Sequence, residues 1–308
     1  MDIFVQQLIN GLVLGSIYAL IALGYTMVYG ILELINFAHG EVTMFGAMIC
    51  LAILNALLLH SGLSPLLILG IGLLGAIGFC VVLGFAIERI AYRPLRNAPR
   101  LAPLITAIGM SIVLQNVAML IWGKRFLSFP DVIPIQRYTF AGANITNLQI
   151  VIILLAIIIM FGLWVLIHRT RLGRAMRATS QSPELASLMG INPNSIISAT
   201  FMIGGGLGAI AGVMVNAYYG TAHYTMGFML GLKAFTAAVL GGIGNISGAM
   251  LGGLLLGLIE SFGAGYISQL TGGFMGSNYQ HVFAFFVLIL ILVFRPSGLL
   301  GERVGERA

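Results

Sequence analysis

Apolar residues run through this chain in blocks of about twenty, separated by short polar stretches. The blocks fall near residues 8–29, 42–60, 64–87, 101–122, 148–167, 197–219 and 279–294. Blocks of that length are what an α-helix needs to cross the hydrocarbon core of a bilayer. Between the last two lies a Gly-rich apolar region, near 224–268, that resists a simple count. The pattern predicts an all-α, polytopic integral membrane protein of about eight transmembrane helices (7–9) with a Gly-rich broken or re-entrant segment. It reads as a single transmembrane domain over residues 1–308.

The polar stretches orient the blocks. Arg89, Arg93, Arg96 and Arg100 follow the third block, Arg169, Arg171, Arg174 and Arg177 the fifth, and Arg295, Arg303 and Arg307 the last. Loops rich in Lys and Arg stay in the cytoplasm, and one topology places all three clusters there. The C-terminus is then cytoplasmic, and the N-terminus and the loop 123–147 are external, although that loop carries Lys124, Arg125 and Arg137. With the sixth block leaving the membrane at its far side, residues 224–268 must cross twice or dip in and return. The first block has neither a basic flank nor a credible cleavage site, so it reads as a span rather than a signal peptide.

The longest stretch with no place inside a bilayer is the loop 168–196. Ser182 fits an N-cap, Pro183 the first helical position and Gly190 the glycine just past a helix end. Asn192-Pro193 repeats the start signal for the next block. Between these marks, Leu185, Leu188 and Met189 share one face at i, i+3, i+4 spacing. Two turns are not stable alone in water, so the segment is either a plain connection or a piece that docks on a partner.

Ionisable groups near apolar spans are costly and mark candidate sites. One break between blocks holds Gly30, Glu33, Asn36, Phe37, Ala38, His39, Gly40 and Glu41. The charge-derived topology favours the cytoplasmic interface for it. A place within the membrane would make Asn36, His39 and Glu41 candidates for a translocation path. Lys233 and Glu260 are isolated charges inside the Gly-rich region and could pair with one another. Gly241, Gly242 and Gly244 interrupt that region, either as a tight cytoplasmic turn or as irregular backbone lining a cavity; with Lys233 they complete the candidate path. Gly204, Gly205, Gly206, Gly208 and Gly212 on the sixth block suit close helix approach.

Composition excludes other classes. The 308 residues are 59% hydrophobic and only 8% charged, whereas soluble domains carry roughly 25% charged residues. The net charge of +6 comes from arginines beside spans, without the aromatic interleaving of a nucleic-acid surface. Cys50 and Cys80 both lie inside apolar blocks. The chain has no phosphate-binding G-x-x-x-x-G-K-[ST] loop, no H-E-x-x-H, no G-x-S-x-G and no Cys/His cluster. The five histidines, His39, His60, His168, His223 and His281, are dispersed. The expectation is a non-enzyme with no catalytic residue, metal or cofactor, whose energy comes from a partner.

The segment from Glu184 to Gly190 resembles the E-A-A-x-x-x-G motif by which permeases of ABC importers engage their ATPases. Glu184, Ala186 and Gly190 match, Leu185 stands at the first alanine, and the downstream I-x-L-P element is absent. More specifically, the chain is similar to the shorter, H-type permease of bacterial high-affinity branched-chain amino-acid uptake systems. The likeness rests on Gly24–Gly30 with Asn36–Glu41, Glu88-Arg89 with Ala91–Arg96, Leu172–Ala175 with Arg177-Ala178, Lys233–Gly244, and Arg295–Gly301. It covers almost everything except 123–147.

The resemblance implies a permease for leucine, isoleucine and valine in the bacterial inner (cytoplasmic) membrane. It would pair as a heterodimer with a second permease and work with two cytoplasmic ATPase subunits and a periplasmic substrate-binding protein. Arg174, Arg177, Glu184, Leu185, Ala186, Leu188, Met189 and Gly190 are then the ATPase-coupling candidates, with 168–196 as the coupling loop. An ABC permease for urea, amides or other amino acids, a proton-coupled secondary transporter and a non-transporting scaffold are the competing readings.

Overall fold

A computed structural model describes residues 2–301 apart from 61, 97, 100, 131, 141, 271, 273–278 and 296. Arg100, Arg303 and Arg307 of the basic clusters, and Pro296, lie outside the described residues. In chain order the helices are α1 (Asp2–Leu32), α2 (His39–His60), α3 (Pro65–Ile87), α4 (Leu101–Trp122), α5 (Asn147–Arg169), α6 (Arg171–Gln181), α7 (Pro183–Leu188), α8 (Pro193–Tyr219), α9 (Met226–Gly241), α10 (Ile246–Leu270) and α11 (Gln280–Phe294). Four short strands join them: β1 (Leu127–Ser128), β2 (Arg137–Phe140), β3 (Ala143–Thr146) and β4 (Thr221–Ala222). β1 pairs with β4 and β2 with β3, both antiparallel.

Among the described residues, seven helices are long and apolar enough to cross a bilayer: α1 to α5, α8 and α10. Helices α9 and α11 are shorter and apolar. At 1.5 Å per residue, the 16 residues of α9 reach about 24 Å, short of the roughly 30 Å of hydrocarbon. The protein is an all-α, multi-pass membrane protein.

The chain divides into two compact units. One comprises residues 1–26, 135–160 and 233 onward. Between α1 and α10 runs a seam of glycines that brings the two backbones close together. A Cβ at Gly15 would come within 2.7 Å of the Leu254 backbone, and one at Gly11 within 2.9 Å of Leu258. Ser261 Oγ closes the seam by donating to the Gln7 carbonyl at 2.8 Å. The β2–β3 hairpin is tied to α1 through Gln6, whose amide bonds both backbone groups of Asn144.

The turn between α9 and α10 belongs to this unit as well. Gly242 and Gly244 take φ of +107° and +91°, a region where side chains strain the backbone. The 297–301 segment lies against this turn: the amides of Leu299 and Leu300 donate to the carbonyls of Leu240 and Gly241 at 3.0 and 2.9 Å. Asn245 caps α10 by accepting from Gly248 N at 3.0 Å. Of the two geometries open to this region, the glycines form a compact turn against the chain's own tail.

The second unit, residues 27–134 and 161–232, is built on α2, α3 and α8. Glycines again set the spacing. Gly46 faces Ala209, Gly84 faces the Phe201 carbonyl, Gly205 faces Cys80, and both Gly208 and Gly212 face Thr43. The Gly204–Gly212 stretch does approach its neighbours closely. Phe45 stacks with Phe79 and meets Trp122 edge-on, each at 5.8 Å between centroids.

Candidate functional site

The loop after α5 is locked by side-chain caps. Thr170 Oγ1 accepts from Gly173 N at 3.2 Å and starts α6. Ser182 Oγ accepts from Leu185 N at 3.2 Å and starts α7. Asn192 Oδ1 accepts from Asn194 N at 3.1 Å and starts α8, with Pro193 at its first position. Gly190 ends α7 in the left-handed region at φ +80°. Three polar residues and one glycine thus fix where a six-residue helix points.

The helix presents an apolar face to the outside. Leu185, Leu188 and Met189 are 65%, 83% and 84% exposed, whereas Ala186 is 3% exposed. Ala186 is the foot of the helix and its carbonyl accepts the Ile191 amide at 3.0 Å; the three large side chains are what a partner can touch. Glu184, Ser187 and Gly190 are exposed too. Arg174 is exposed on α6, and Arg177 donates to the Ile167 carbonyl, tying α6 back to α5.

Just beyond, a buried carboxylate holds the base of α8. Helix α3 runs into a π-helical turn, Glu88–Tyr92, and a 3-10 turn, Arg93–Leu95. Glu88 is fully buried. It pairs with Arg96 and accepts from Ser198 Oγ at 2.6 Å. Arg96 also donates to Asn194 Oδ1 at 2.5 Å. Burial lowers the Arg96 pKa from its ordinary value, and Glu88 opposes that shift. The chain from Asn192 to Ser198 is therefore clasped against the end of α3.

The polar break before α2 is largely enclosed by protein. Helix α1 stops at Glu33, which takes φ +54° and is exposed. Asn36, His39 and Glu41 are buried. Gly208 packs beside His39 and Thr43, so α2 starts level with the middle of α8, about 22 Å along it from Pro193. Glu33 is therefore exposed, while Asn36, His39 and Glu41 are enclosed by protein. Tyr92 OH donates to Asn36 Oδ1 at 3.0 Å, and Ser111 Oγ donates to Glu41 Oε1 at 3.1 Å. Glycines Gly40, Gly227 and Gly231 meet at this point and leave no room for a side chain.

A second buried cluster occupies the other unit. Lys233 sits midway along α9 and Glu260 midway along α10. Lys233 Nζ lies 2.6 Å from Glu260 Oε1 and donates to Tyr18 OH at 2.9 Å. Tyr18 OH donates to Glu260 Oε2 at 2.7 Å. His281 Nδ1 of α11 is 2.5 Å from Glu260 Oε1, off the hydrogen-bonding axis. Lys233 and Glu260 pair, as their isolation in the sequence allowed. Tyr18 and Ser111 escaped the sequence reading, His281 appeared there only among dispersed histidines, Glu88 only within a string and Arg96 only as a topology marker. The legible trace was a glutamate closing an apolar block with an arginine eight residues on. Among the described residues, no group of three or more His, Cys, Asp or Glu could hold a metal ion.

Residues 7–292 match the family described as "Branched-chain amino acid transport system / permease component". The chain belongs to this permease family. The permease is 49% identical to the high-affinity branched-chain amino acid transport system permease protein BraD of Pseudomonas aeruginosa, over 99% of this chain and 98% of that one. It is 46% identical to the permease protein LivH of Escherichia coli K12, over 99% and 97% of the two chains. A probable branched-chain amino acid transport permease of Methanocaldococcus jannaschii is 27% identical over 97% and 94%. No solved structure matches.

Proposed function

We propose that this permease is the H-type transmembrane subunit of an ABC importer for leucine, isoleucine and valine, with residues 1–308 acting as one permease domain. It works beside a second permease, two cytoplasmic ATPases and a periplasmic substrate-binding protein, in the bacterial cytoplasmic membrane with its C-terminus inside. The observation that carries the coupling role is the outward face of α7. Three large apolar side chains stand in water on a helix whose aim is fixed by Ser182, Asn192 and Gly190. Helix-in-groove contacts rest on anchors with this spacing, and the substrate class follows the names of the relatives.

The test is co-purification and reconstituted uptake. Leu188→Asp places a charge in a contact that excludes water, at a cost of several kcal/mol. We expect membrane insertion to persist while ATPase co-purification and leucine uptake both fall at least about tenfold. Gly190→Val strains the left-handed position and should lose uptake by mis-aiming an intact face. Ser187→Asp should be nearly silent. Normal uptake by Leu188→Asp would reduce the loop to a connection. Thiol labelling of Ser187→Cys and Ser128→Cys, in a chain lacking Cys50 and Cys80, checks the orientation; labelling of position 187 from outside would reverse it.

A further inference from the structure

The Lys233 cluster holds more cationic capacity than its carboxylate needs. Two nitrogens, Lys233 Nζ and His281 Nδ1, converge on the single oxygen Glu260 Oε1. The carboxylate is nearly sealed, whereas the His281 side chain is 35% exposed. A cleft opens at this point, lined by Lys233, Thr236, Leu256, Glu260, His281 and Phe285. Its lining joins both signs of charge to one aliphatic and one aromatic wall. In the present conformation the space is water-sized, so a larger ligand enters only as α10 and α11 part.

We propose that this cleft is an exchange site for the amino acid itself, resting on the reading of the chain as an amino-acid permease. The ligand's carboxylate takes Lys233, with His281 beside it, and its ammonium takes Glu260. Leu256 and Phe285 receive the apolar side chain. Before and after the exchange every buried charge has an opposite partner: one internal pair becomes two pairs with the ligand. That matters because a desolvated charge without a partner costs several kcal/mol. Ionisable groups within apolar helices mark solute pathways for this reason. Tyr18, bonded to both ions, holds them in place while partners change.

The experiment uses the complete reconstituted transporter and radiolabelled leucine. Lys233→Met and Glu260→Gln each leave one ion unpaired and should lose both stability and uptake. The double variant Lys233→Met/Glu260→Gln separates the roles. Its thermal stability and its co-purification with the ATPases should return towards wild type, while leucine uptake stays at least about tenfold down. Uptake restored to the wild-type KM and kcat would show that the pair is only structural and overturn the site. If the double variant does not accumulate, His281→Ala carries the test. It should raise the KM for leucine about tenfold while the complex still assembles, and an unchanged KM overturns the proposal. Absence of leucine uptake by the wild-type complex would instead refute the amino-acid reading.

Discussion

Two buried carboxylates in this chain are handled in opposite ways. Glu88 gives its two oxygens to one guanidinium and one hydroxyl, and Arg96 spends a further N–H on Asn194. Every partner belongs to the base of α8 or to the turn that ends α3. Glu260 meets an ammonium, an imidazole and a phenol from three other helices, and it borders a cleft. The first arrangement joins two pieces of backbone. The second keeps cations where a solute can meet them. Burial alone therefore does not distinguish a fastening from a site; the number of competing partners and the access to open space do.

The largest effect that tests this contrast comes from Glu88→Gln. Breaking a buried pair leaves the other charge uncompensated and costs about 3–5 kcal/mol; since Arg96 keeps some exposure, the lower end is expected. Thermal unfolding of the purified chain should show it. The doubly apolar Glu88→Leu/Arg96→Leu variant should recover most of that loss and transport leucine normally. Failure of its uptake, with stability restored, would make the fastening a functional site and erase the distinction.

A matched pair of hydroxyl deletions comes next. Ser198→Ala removes one hydrogen bond to a charged group and Tyr18→Phe removes two, at about 1.5–3 kcal/mol apiece. Stability should fall in both, yet only Tyr18→Phe should raise the KM for leucine. Equal kinetics in the two would argue that both clusters are fastenings. The smallest effect is expected of Asn194→Ala, whose side chain is exposed and whose loss should stay within about 0.5 kcal/mol, measured by the same unfolding assay.

The spans and the punctuation of the loop were legible because both depend on neighbours in sequence. Apolar blocks predict α2 over 42–60 and α8 over 197–219, and the helices begin three and four residues earlier, at His39 and Pro193. Ser182, Pro183, Gly190 and Asn192 act within one turn, so their roles need no tertiary information. The burial of His39 and Glu41 was not legible. It depends on how far α2 is shifted along α8, and glycine contacts at Gly208 and Gly212 set that register. His281 was hidden for a related reason: it lies 21 residues from Glu260, on a different helix. The Lys233–Glu260 pair was within reach because two lone charges in apolar surroundings need company.

The glycine seams carry a mechanical consequence. Where α1 meets α10, and where α8 meets α2 and α3, glycines bring backbone close to backbone with little side chain between to deform. A packed interface of that kind cannot give gradually, so a push on one helix reaches its neighbour almost undiminished. Rearrangement must then concentrate in the non-helical joints, as hinge motions do. In this permease those joints are short: residues 33–38 between α1 and α2, and residues 220–225 between α8 and α9. The chain is a set of stiff levers with few pivots, and a displacement of a few ångströms at one end of a helix would be delivered at distance rather than absorbed on the way.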